Sequence, residues 1–291
     1  MDLSPIADRL MCAPAAITLH QPEIQAGSVI VASPHSGRDY PADFLAASRL
    51  PLLALRKTED CFVDELFAAA PSLGIPLLAA NFPRAYCDVN REAWELDPTM
   101  FDDALPPYVN HTSPRVAAGL GTIARLVGSG EPIYRHKLRF AEAQARIDTC
   151  WTPYHHALQS LIDRTIAQTG ACLLIDAHSM PSPIKPTSRP PDIVLGDAYG
   201  AACHRDIVTQ VEVTLRQEGL LVRRNDPYAG GFVTRHYGRP RHNVHVLQIE
   251  IARSLYMDET RLDRQPTFGA LQLTITRLLS ALATVAPGLM C

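Results

Sequence analysis

The sequence lacks the cysteine pairing that a disulfide framework or a structural zinc finger needs. Its seven cysteines are an odd number, and no two of them have the spacing of a CxxC motif. Small secreted domains and Cys-rich zinc sites show those features. We therefore expect reduced thiols in a cytosolic protein, several of them buried in the core.

The sequence also lacks an excess of charge and a long apolar run. The formal net charge is -3 over 291 residues, whereas a protein that binds the phosphate backbone of nucleic acid needs a basic excess. No segment reaches the roughly 18 uninterrupted apolar residues of a membrane helix. Residues 1–17 contain Asp2, Asp8 and Arg9 and lack the basic start and apolar core of a secretion signal. We predict a cytoplasmic protein with neither nucleic acid nor membrane as a partner.

Two common enzyme signatures are missing as well. None of Ser33, Ser36 and Ser179 stands in the GxSxG elbow of a serine hydrolase. The glycines at 119 and 121 do not follow a strand-like run, so they do not indicate a phosphate-binding loop. These absences disfavour a serine hydrolase and a nucleotide-binding protein.

Strand-like and helix-like apolar patterns alternate along the chain. Strands are predicted at 29–32, 75–80, 172–175, 192–195, 220–223 and 244–251, with a less regular extended stretch at 84–89. Helices are predicted at 59–70, 138–168, 202–218 and 267–285, and Pro153 is expected to kink or divide the second of them. Residues 94–132 and 181–191 are rich in loop signals. This alternation predicts an α/β fold, with a mostly parallel or mixed central sheet covered by helices on both faces. Because no Gly/Ser-rich linker divides it, we predict one domain over residues 1–291.

Three side chains suited to hydrolytic chemistry follow strand-like runs. His35 comes after the run 28–32, His178 after 171–175, and Glu250 after 244–249. In an open α/β sheet, ligands collect outside the carboxyl ends of parallel strands. Two histidines with carboxylates at such an edge are the parts of a hydrolytic metal site.

Several motifs, taken in order, resemble the N-formylglutamate amidohydrolase family. They are Ser-Pro-His-Ser-Gly at 33–37, Thr-Glu-Asp-Cys-Phe-Val-Asp at 58–64, Arg-Ala-Tyr-Cys-Asp-Val-Asn-Arg at 84–91, Asp-Ala-His-Ser-Met at 176–180, Asp-Ile-Val-Leu-Gly-Asp at 192–197, Gly-Gly at 230–231 with Thr-Arg-His-Tyr-Gly at 234–238, and Leu-Gln-Ile-Glu-Ile-Ala-Arg-Ser-Leu-Tyr-Met at 247–257. The resemblance covers about residues 28–260. It implies a fold similar to zinc carboxypeptidases and phosphorylase/hydrolase-like proteins. It also implies one zinc ion and an activity that removes formate from N-formyl-L-glutamate in histidine breakdown.

The resemblance also implies a ligand set. His35 and His178 match the metal-ligand positions of the family. A carboxylate should be the third ligand, and we choose Asp60, with Glu59 and Asp64 as alternatives. A carboxylate in this segment would otherwise only stabilise the start of a helix. Zinc is inferred from His and carboxylate ligation, which other divalent ions also fit.

Glu250 resembles the general base of zinc carboxypeptidases. Such a carboxylate is not tied to the metal; it takes a proton from water and returns it to the leaving amine. The alternative is a structural Glu paired with Arg253. A carboxylate preceded by the run Val-Leu-Gln-Ile at 246–249 is costly to bury without a partner, which favours the catalytic interpretation.

The pair Asn90–Arg91 resembles the pair with which carboxypeptidases hold a substrate carboxylate. Arginine offers a planar fork that matches a carboxylate with two hydrogen bonds. Arg84 and Arg235 are further candidates, either for a second carboxylate or for the oxyanion that develops during the reaction. Gly230 and Gly231 are expected to allow a turn close to the substrate.

Three functions follow as hypotheses. The first is a zinc amidohydrolase that acts on a small N-acylated acidic amino acid, with N-formyl-L-glutamate as the substrate. The second is a zinc hydrolase of another N-acyl or peptide-like small molecule. The third is a non-catalytic module that binds a small molecule, and the combination of two histidines, Glu250 and Asn90–Arg91 argues against it.

Overall fold

A computed structural model describes residues 15–183 and 189–283. Within these residues the main sheet has seven strands in the order β1-β3-β2-β4-β7-β5-β6. They are β1 Ile17–His20, β2 Val29–Ser33, β3 Leu77–Ala80, β4 Cys172–Met180, β5 Ile193–Gly196, β6 Val222–Arg224 and β7 Val244–Ala252. Strands β3, β2, β4 and β7 are parallel, while β1 and the β5–β6 pair run the opposite way at the two edges. A two-stranded ribbon, β8 Met257–Asp258 and β9 Asp263–Arg264, stands apart.

Helices cover both faces of the sheet. They are α1 Ala42–Ala47, α2 Leu52–Arg56, α3 Val63–Leu66, α4 Pro114–Ala117, α5 Phe140–Arg146, α6 Thr152–Thr169, α7 Arg205–Gln217, α8 Phe232–Tyr237 and α9 Phe268–Ala283. Apolar side chains of α3, α7 and α9 pack on one face, and those of α6 and α8 pack on the other. This confirms the predicted α/β class with a mixed sheet. None of the described helices combines the length and apolar character needed to cross a bilayer.

The alternation of side chains along the strands divides the core into two layers. Ile30, Leu174 and Val246 face α6 and α8, whereas their neighbours Val31 and Leu247 face α3, α7 and α9. Successive residues of a strand point to opposite faces, so a strand covered by helices on both sides is apolar throughout. This explains why the central strands could be predicted from short apolar runs.

The strands that carry the candidate site are longer than predicted. Strand β4 continues to Met180 and β7 continues to Ala252, so His178 and Glu250 lie inside strands and not after them. Strand β1 and helix α8 were not predicted at all.

Two other predicted elements differ from the structure. The helix expected at 59–70 is reduced to α3, because Phe62 adopts a left-handed backbone conformation with φ of 64° directly before it. The stretch 84–89, expected to be extended, forms turns. Three further expectations lie partly or wholly outside the described residues: the start of the chain at 1–14, part of the loop 181–191, and the last residues of the closing helix.

The long helix predicted at 138–168 is present as α5 and α6, and Pro153 does not end it. A π-helical turn, Ile147–Trp151, joins α5 to α6 immediately before Pro153. Proline has no N–H and its ring clashes with the carbonyl one α-helical turn earlier, whereas the wider π turn changes that spacing. The chain therefore continues as one helical rod to Gly170, whose left-handed conformation ends it.

This rod holds the segment 88–91 through two side chains. The Nε2 atom of His155 donates to the Val89 carbonyl at 2.8 Å, and its Nδ1 accepts from the Tyr237 hydroxyl at 2.8 Å. The indole N–H of Trp151 donates to the carbonyl of Arg91 at 3.0 Å. Burial lowers the pKa of His155 to about 4, so the ring is neutral at pH 7.

The buried His155 predicts a loss of stability at acid pH. An unfolded chain has an imidazole pKa of about 6.5. Between about pH 6.5 and 4 the unfolded chain therefore takes up a proton that the folded protein excludes, which lowers the free energy of unfolding by up to about 1.4 kcal/mol per pH unit. Above that range the ring is neutral in both states and contributes no slope. We expect His155→Gln to lose less stability than the wild type between pH 7 and 5, as measured by urea unfolding. Equal slopes for the two proteins would contradict this.

Candidate metal centre

Three elements bring His35, Asp60 and His178 together at the carboxyl edge of the sheet. His35 follows β2, His178 lies on β4, and Asp60 lies in the turn before α3. All three are buried, and one potential ligand atom from each lies within 4.8 Å of the others. The predicted ligand set is therefore a cluster that could hold a metal ion.

The geometry of the cluster fits a metal. The Nδ1 atoms of His35 and His178 lie 3.4 Å and 3.0 Å from the same Oδ2 of Asp60. The Nδ1 of His35 is buried and has no hydrogen-bond partner among the described residues. A buried imidazole nitrogen without a partner, beside a carboxylate, suits coordination of a divalent cation.

A carboxylate also binds the Nε2 atom of each imidazole, on the side of the ring away from Nδ1. The Nε2 of His35 lies 2.8 Å from Oδ1 of Asp88, and the Nε2 of His178 lies 3.0 Å from Oδ1 of Asp176. Such pairs orient the ring and leave the lone pair of the other nitrogen free for a metal. Nδ1 is consequently the candidate ligand atom of both histidines.

The carboxylates of the cluster stay ionised although they are buried. Burial alone would raise the pKa of Asp60, but the hydrogen bond with His178 and the nearby ring of His35 hold it well below its usual range. The pKa of Asp88 is likewise well below its usual range, because Arg91 and Arg84 outweigh its burial. Buried negative charge of this kind needs cations nearby, either from side chains or from a metal.

Arg253 binds Asp60 and not Glu250. Its Nη2 donates to Oδ1 of Asp60 at 3.1 Å, while Nη1 donates to the carbonyl of Lys57 at 3.0 Å and Nε donates to Oγ of Ser179 at 3.2 Å. This leaves the other oxygen of Asp60 directed at the two histidines. Arg253 thereby orients the carboxylate, and a structural Glu250–Arg253 pair is not formed.

The two alternative carboxylates point elsewhere. Glu59 accepts hydrogen bonds from Tyr40 at 2.7 Å and from Arg56 at 3.3 Å. Asp64 lies on α3, with an oxygen 3.6 Å from Arg38. Neither belongs to the His35–Asp60–His178 cluster.

Glu250 lies beside the cluster without joining it. It pairs in register with His178 across the parallel strands β7 and β4. Its Oε1 accepts a hydrogen bond from Gln248 at 2.8 Å. Burial raises the pKa of Glu250 to about 7. A carboxylate with a pKa near neutrality can both accept and donate a proton at working pH.

The candidate site residues line one cavity of about 310 Å³. Arg84, Asn90 and Arg91 lie on its wall together with the three cluster residues and Glu250. Arg84 donates to Oδ2 of Asp88 at 2.9 Å. Arg91 donates to the carbonyls of Leu120 at 2.9 Å and of Asn90 at 2.7 Å.

Asn90 is built into the cavity wall. Its Oδ1 accepts a hydrogen bond from the Val233 amide at 2.8 Å, and its Nδ2 lies 3.1 Å from Nε2 of His178. Gly231 packs directly against this amide, since a Cβ atom there would overlap the side chain of Asn90. Gly230 and Gly231 both line the cavity, and Gly231 also leaves room there for the side chain of Asn90.

Arg235 is not brought to the cavity. It lies on α8 with its side chain exposed to solvent, and it is not among the residues that line the cavity. The preceding residue, Thr234, is the buried one, with its hydroxyl 3.5 Å from Asp176. Because residues 232–237 form a helix and not a turn, Arg235 points away from the site.

The polar residues of the site that were not predicted from the sequence include Asp88, Asp176, Arg115, Tyr228 and Gln248. The signal for Asp176 was available, because it stands two positions before His178 in a strand and hence on the same face. Asp88 lies within the motif at 84–91, yet nothing in its spacing shows that it contacts His35. Neither the short helix α4, which carries Arg115, nor the loop that carries Tyr228 has a sequence pattern that would have placed these side chains in the cavity.

Fold and site together define an amide-cleaving hydrolase with a candidate metal centre. A family model of N-formylglutamate amidohydrolase matches residues 27–257. The N-formylglutamate deformylase of Pseudomonas aeruginosa is 32% identical over 236 residues, which cover 79% of this chain and 82% of that protein. The deformylase of Pseudomonas putida is 31% identical over 230 residues, or 77% and 80% of the two chains.

A solved structure agrees with these relatives. The crystal structure of an N-formylglutamate amidohydrolase from Ralstonia eutropha is similar with a TM-score of 0.88 and 38% identity, over 92% of this chain and 97% of that one. The chain belongs to the N-formylglutamate amidohydrolase family.

The cluster makes a prediction about metal content. We expect the purified protein to bind one divalent ion per chain, and His35→Ala or His178→Ala to lose it, because each removes one of three ligands. Metal-to-protein ratios after dialysis, measured by mass spectrometry, test this. The exposed His136 provides a matched control, and His136→Ala should keep the ion. Full metal content in either cluster variant would show that the residue is not a ligand.

Proposed function

We propose that the protein is a zinc-dependent amidohydrolase that converts N-formyl-L-glutamate and water to formate and L-glutamate. The observation that carries this proposal is a buried Glu250 beside the His35–Asp60–His178 cluster, in a cavity that is also lined by arginines. The relatives of known name act on the same substrate according to their names. A cytosolic location is part of the proposal, supported by five described cysteines that are free and buried.

His35, Asp60 and His178 would hold the zinc ion, with Nδ1 atoms and one carboxylate oxygen as donors. Two imidazoles and a carboxylate are the usual protein ligands of catalytic zinc. A zinc ion held there supplies Lewis acidity, which lowers the pKa of water and polarises the amide carbonyl. Asp88, Asp176 and Arg253 keep the three ligands in position.

Glu250 moves the proton. It accepts a proton from the attacking water, whose oxygen forms a bond to the formyl carbon. It then gives that proton to the nitrogen of glutamate as the C–N bond breaks. The second proton of the water passes from the carboxyl product to the amine, so that formate and the ammonium form of glutamate leave. The burial that raises its pKa makes both transfers feasible near neutral pH.

The arginines bind and orient the substrate. Arg84 lies near the cluster, paired with Asp88, and is placed to stabilise negative charge on the formyl oxygen. Asn90 and Arg91 are assigned to the α-carboxylate. The N-acyl or peptide-like alternative requires the same metal and base but a different outer pocket, so substrate comparisons separate it from the leading proposal. A pure binding module would need neither Glu250 nor an open metal position.

Replacing the base tests the mechanism. Glu250→Gln keeps the shape of the side chain but cannot accept a proton. General-base catalysis contributes roughly 10²–10⁴-fold, so kcat for formate release should fall by that order. The metal content should stay at the wild-type value, because Glu250 is outside the ligand cluster. The exposed Glu131 offers the control Glu131→Gln, which should be fully active. A near-normal kcat in Glu250→Gln would remove this residue from the mechanism.

Replacing Arg91 tests the carboxylate site. Loss of a desolvated Arg–carboxylate contact costs about 2–5 kcal/mol, so Arg91→Ala should reduce kcat/KM for N-formylglutamate by roughly 30-fold or more. Arg91→Lys should not restore it, because lysine lacks the planar fork. Steady-state kinetics on both variants, with the metal content verified, gives the answer. An unchanged kcat/KM in Arg91→Ala would contradict the assignment.

A further inference from the structure

The cavity holds more guanidinium groups than the α-carboxylate and the reacting carbonyl require. Arg84, Arg91, Arg115 and Arg253 all line it. Arg253 is committed to Asp60, Ser179 and Lys57 through all three of its nitrogens. The remaining three arginines can be compared by the hydrogen bonds that their guanidinium groups already make.

Arg115 is the least occupied of these three. Arg84 donates to Asp88, and Arg91 donates to two backbone carbonyls. The nearest anion to Arg115 is Oε2 of Glu95 at 3.9 Å, which is longer than a hydrogen bond. That same oxygen of Glu95 already accepts a hydrogen bond from the amide of Glu92 at 3.2 Å. Among the described residues, Arg115 therefore keeps its donors available for a ligand.

The three arginines form a series that leads away from the metal cluster. Arg84 and Arg91 both lie beside Asp88, at 2.9 Å and 3.8 Å, and Asp88 in turn holds the ring of His35 at 2.8 Å. Among the described residues, the carboxylate beside Arg115 is Glu95, so Arg115 lies outside this group around Asp88. Arg115 comes last, on α4 within the loop-rich segment 94–132.

The backbone of Leu120 forms hydrogen bonds with both Arg115 and Arg91. The amide of Leu120 donates to the carbonyl of Arg115 at 2.8 Å, and the carbonyl of Leu120 accepts from Nε of Arg91 at 2.9 Å. Two guanidinium groups that line one cavity repel each other unless an anion lies between or beside them. The side chain of Arg115 is 35% exposed, so a ligand can reach it from the mouth of the cavity.

The proposed substrate has a group that suits this position. N-formylglutamate carries its α-carboxylate next to the scissile amide and a second carboxylate two methylene groups further on. We propose that Arg115 binds this side-chain carboxylate and thereby determines the preference for an acidic N-formyl amino acid. The inference rests on the proposed function. It assigns to Arg115 the contact that the sequence had suggested for the exposed Arg235.

The test compares two substrates that differ only in the charge of the side chain, N-formylglutamate and N-formylglutamine. Arg115→Gln should lower kcat/KM for N-formylglutamate by about tenfold or more, since the contact is partly shielded from water. It should change kcat/KM for N-formylglutamine by no more than about twofold, because that substrate has no second carboxylate to lose. Arg115→Lys should keep part of the preference through its charge.

Two control variants make the comparison specific. Arg91→Gln should lower kcat/KM for both substrates, since both carry the α-carboxylate. Arg125 is also a partly exposed arginine of the same segment, paired with Asp97, but it does not line the cavity. Arg125→Gln should therefore leave both values unchanged.

The outcomes separate this inference from the proposed function. If the wild type prefers N-formylglutamate and Arg115→Gln keeps that preference, or loses activity on both substrates equally, Arg115 is not the determinant while the function stands. If the wild type hydrolyses both substrates equally well, there is no side-chain carboxylate site. If it releases no formate from N-formylglutamate, the proposed function fails, and this inference fails with it.

Discussion

The site depends on the register between β4 and β7. On the face covered by α6 and α8, each strand presents apolar residues first and polar residues last. Leu174 pairs with Val246 in the core, and two positions later Asp176 pairs with Gln248, followed by His178 with Glu250. A shift of one residue would turn these polar groups to the opposite face, against α3, α7 and α9. The apolar half of each strand therefore determines the direction in which the polar half points.

Asp88 connects this sheet-borne half of the site to the loops. Its carboxylate accepts from Arg84 and from the amide of Asn90, and it holds the ring of His35. The same segment is anchored from outside by Trp151 and His155 of the helical rod. This cavity-lining segment is thus fixed at several points along its backbone, which is how a site on irregular structure keeps the precision that catalysis requires.

Sequence patterns were sufficient for the parts of the molecule that lie in the core. His35 and His178 were predicted and come together, because apolar runs locate strand ends and parallel strands end at one edge. Asp60 was predicted from the family resemblance, and it joins them from the turn before α3. The central strands were found for the same reason, since burial on both faces leaves an unbroken apolar run. The sequence predicted that His178 and Glu250 lie at the same edge of the sheet. It did not predict how far their strands extend.

What could not be predicted lies where backbone conformation decides the direction of a side chain. A left-handed Phe62 shortened α3, and a helix in place of a turn directed Arg235 to solvent. Arg115 is positioned by hydrogen bonds within the irregular segment 94–132, and such contacts follow no periodic pattern in the sequence. The π turn before Pro153 belongs to the same group, because a proline alone indicates a break and not a change of helical pitch.

Because Gly231 lies in close contact with Asn90, the end of the cavity at the metal cluster tolerates fewer substitutions than the end at residues 94–132. Any side chain at position 231 would displace Asn90, which touches both Val233 and the ring of His178. The metal end is therefore interlocked, and a single substitution there disturbs several groups together. The outer end is formed by a short helix in a long irregular segment, where insertions are tolerated. New substrate ranges could consequently arise by remodelling residues 94–132, with the hydrolytic chemistry inherited intact.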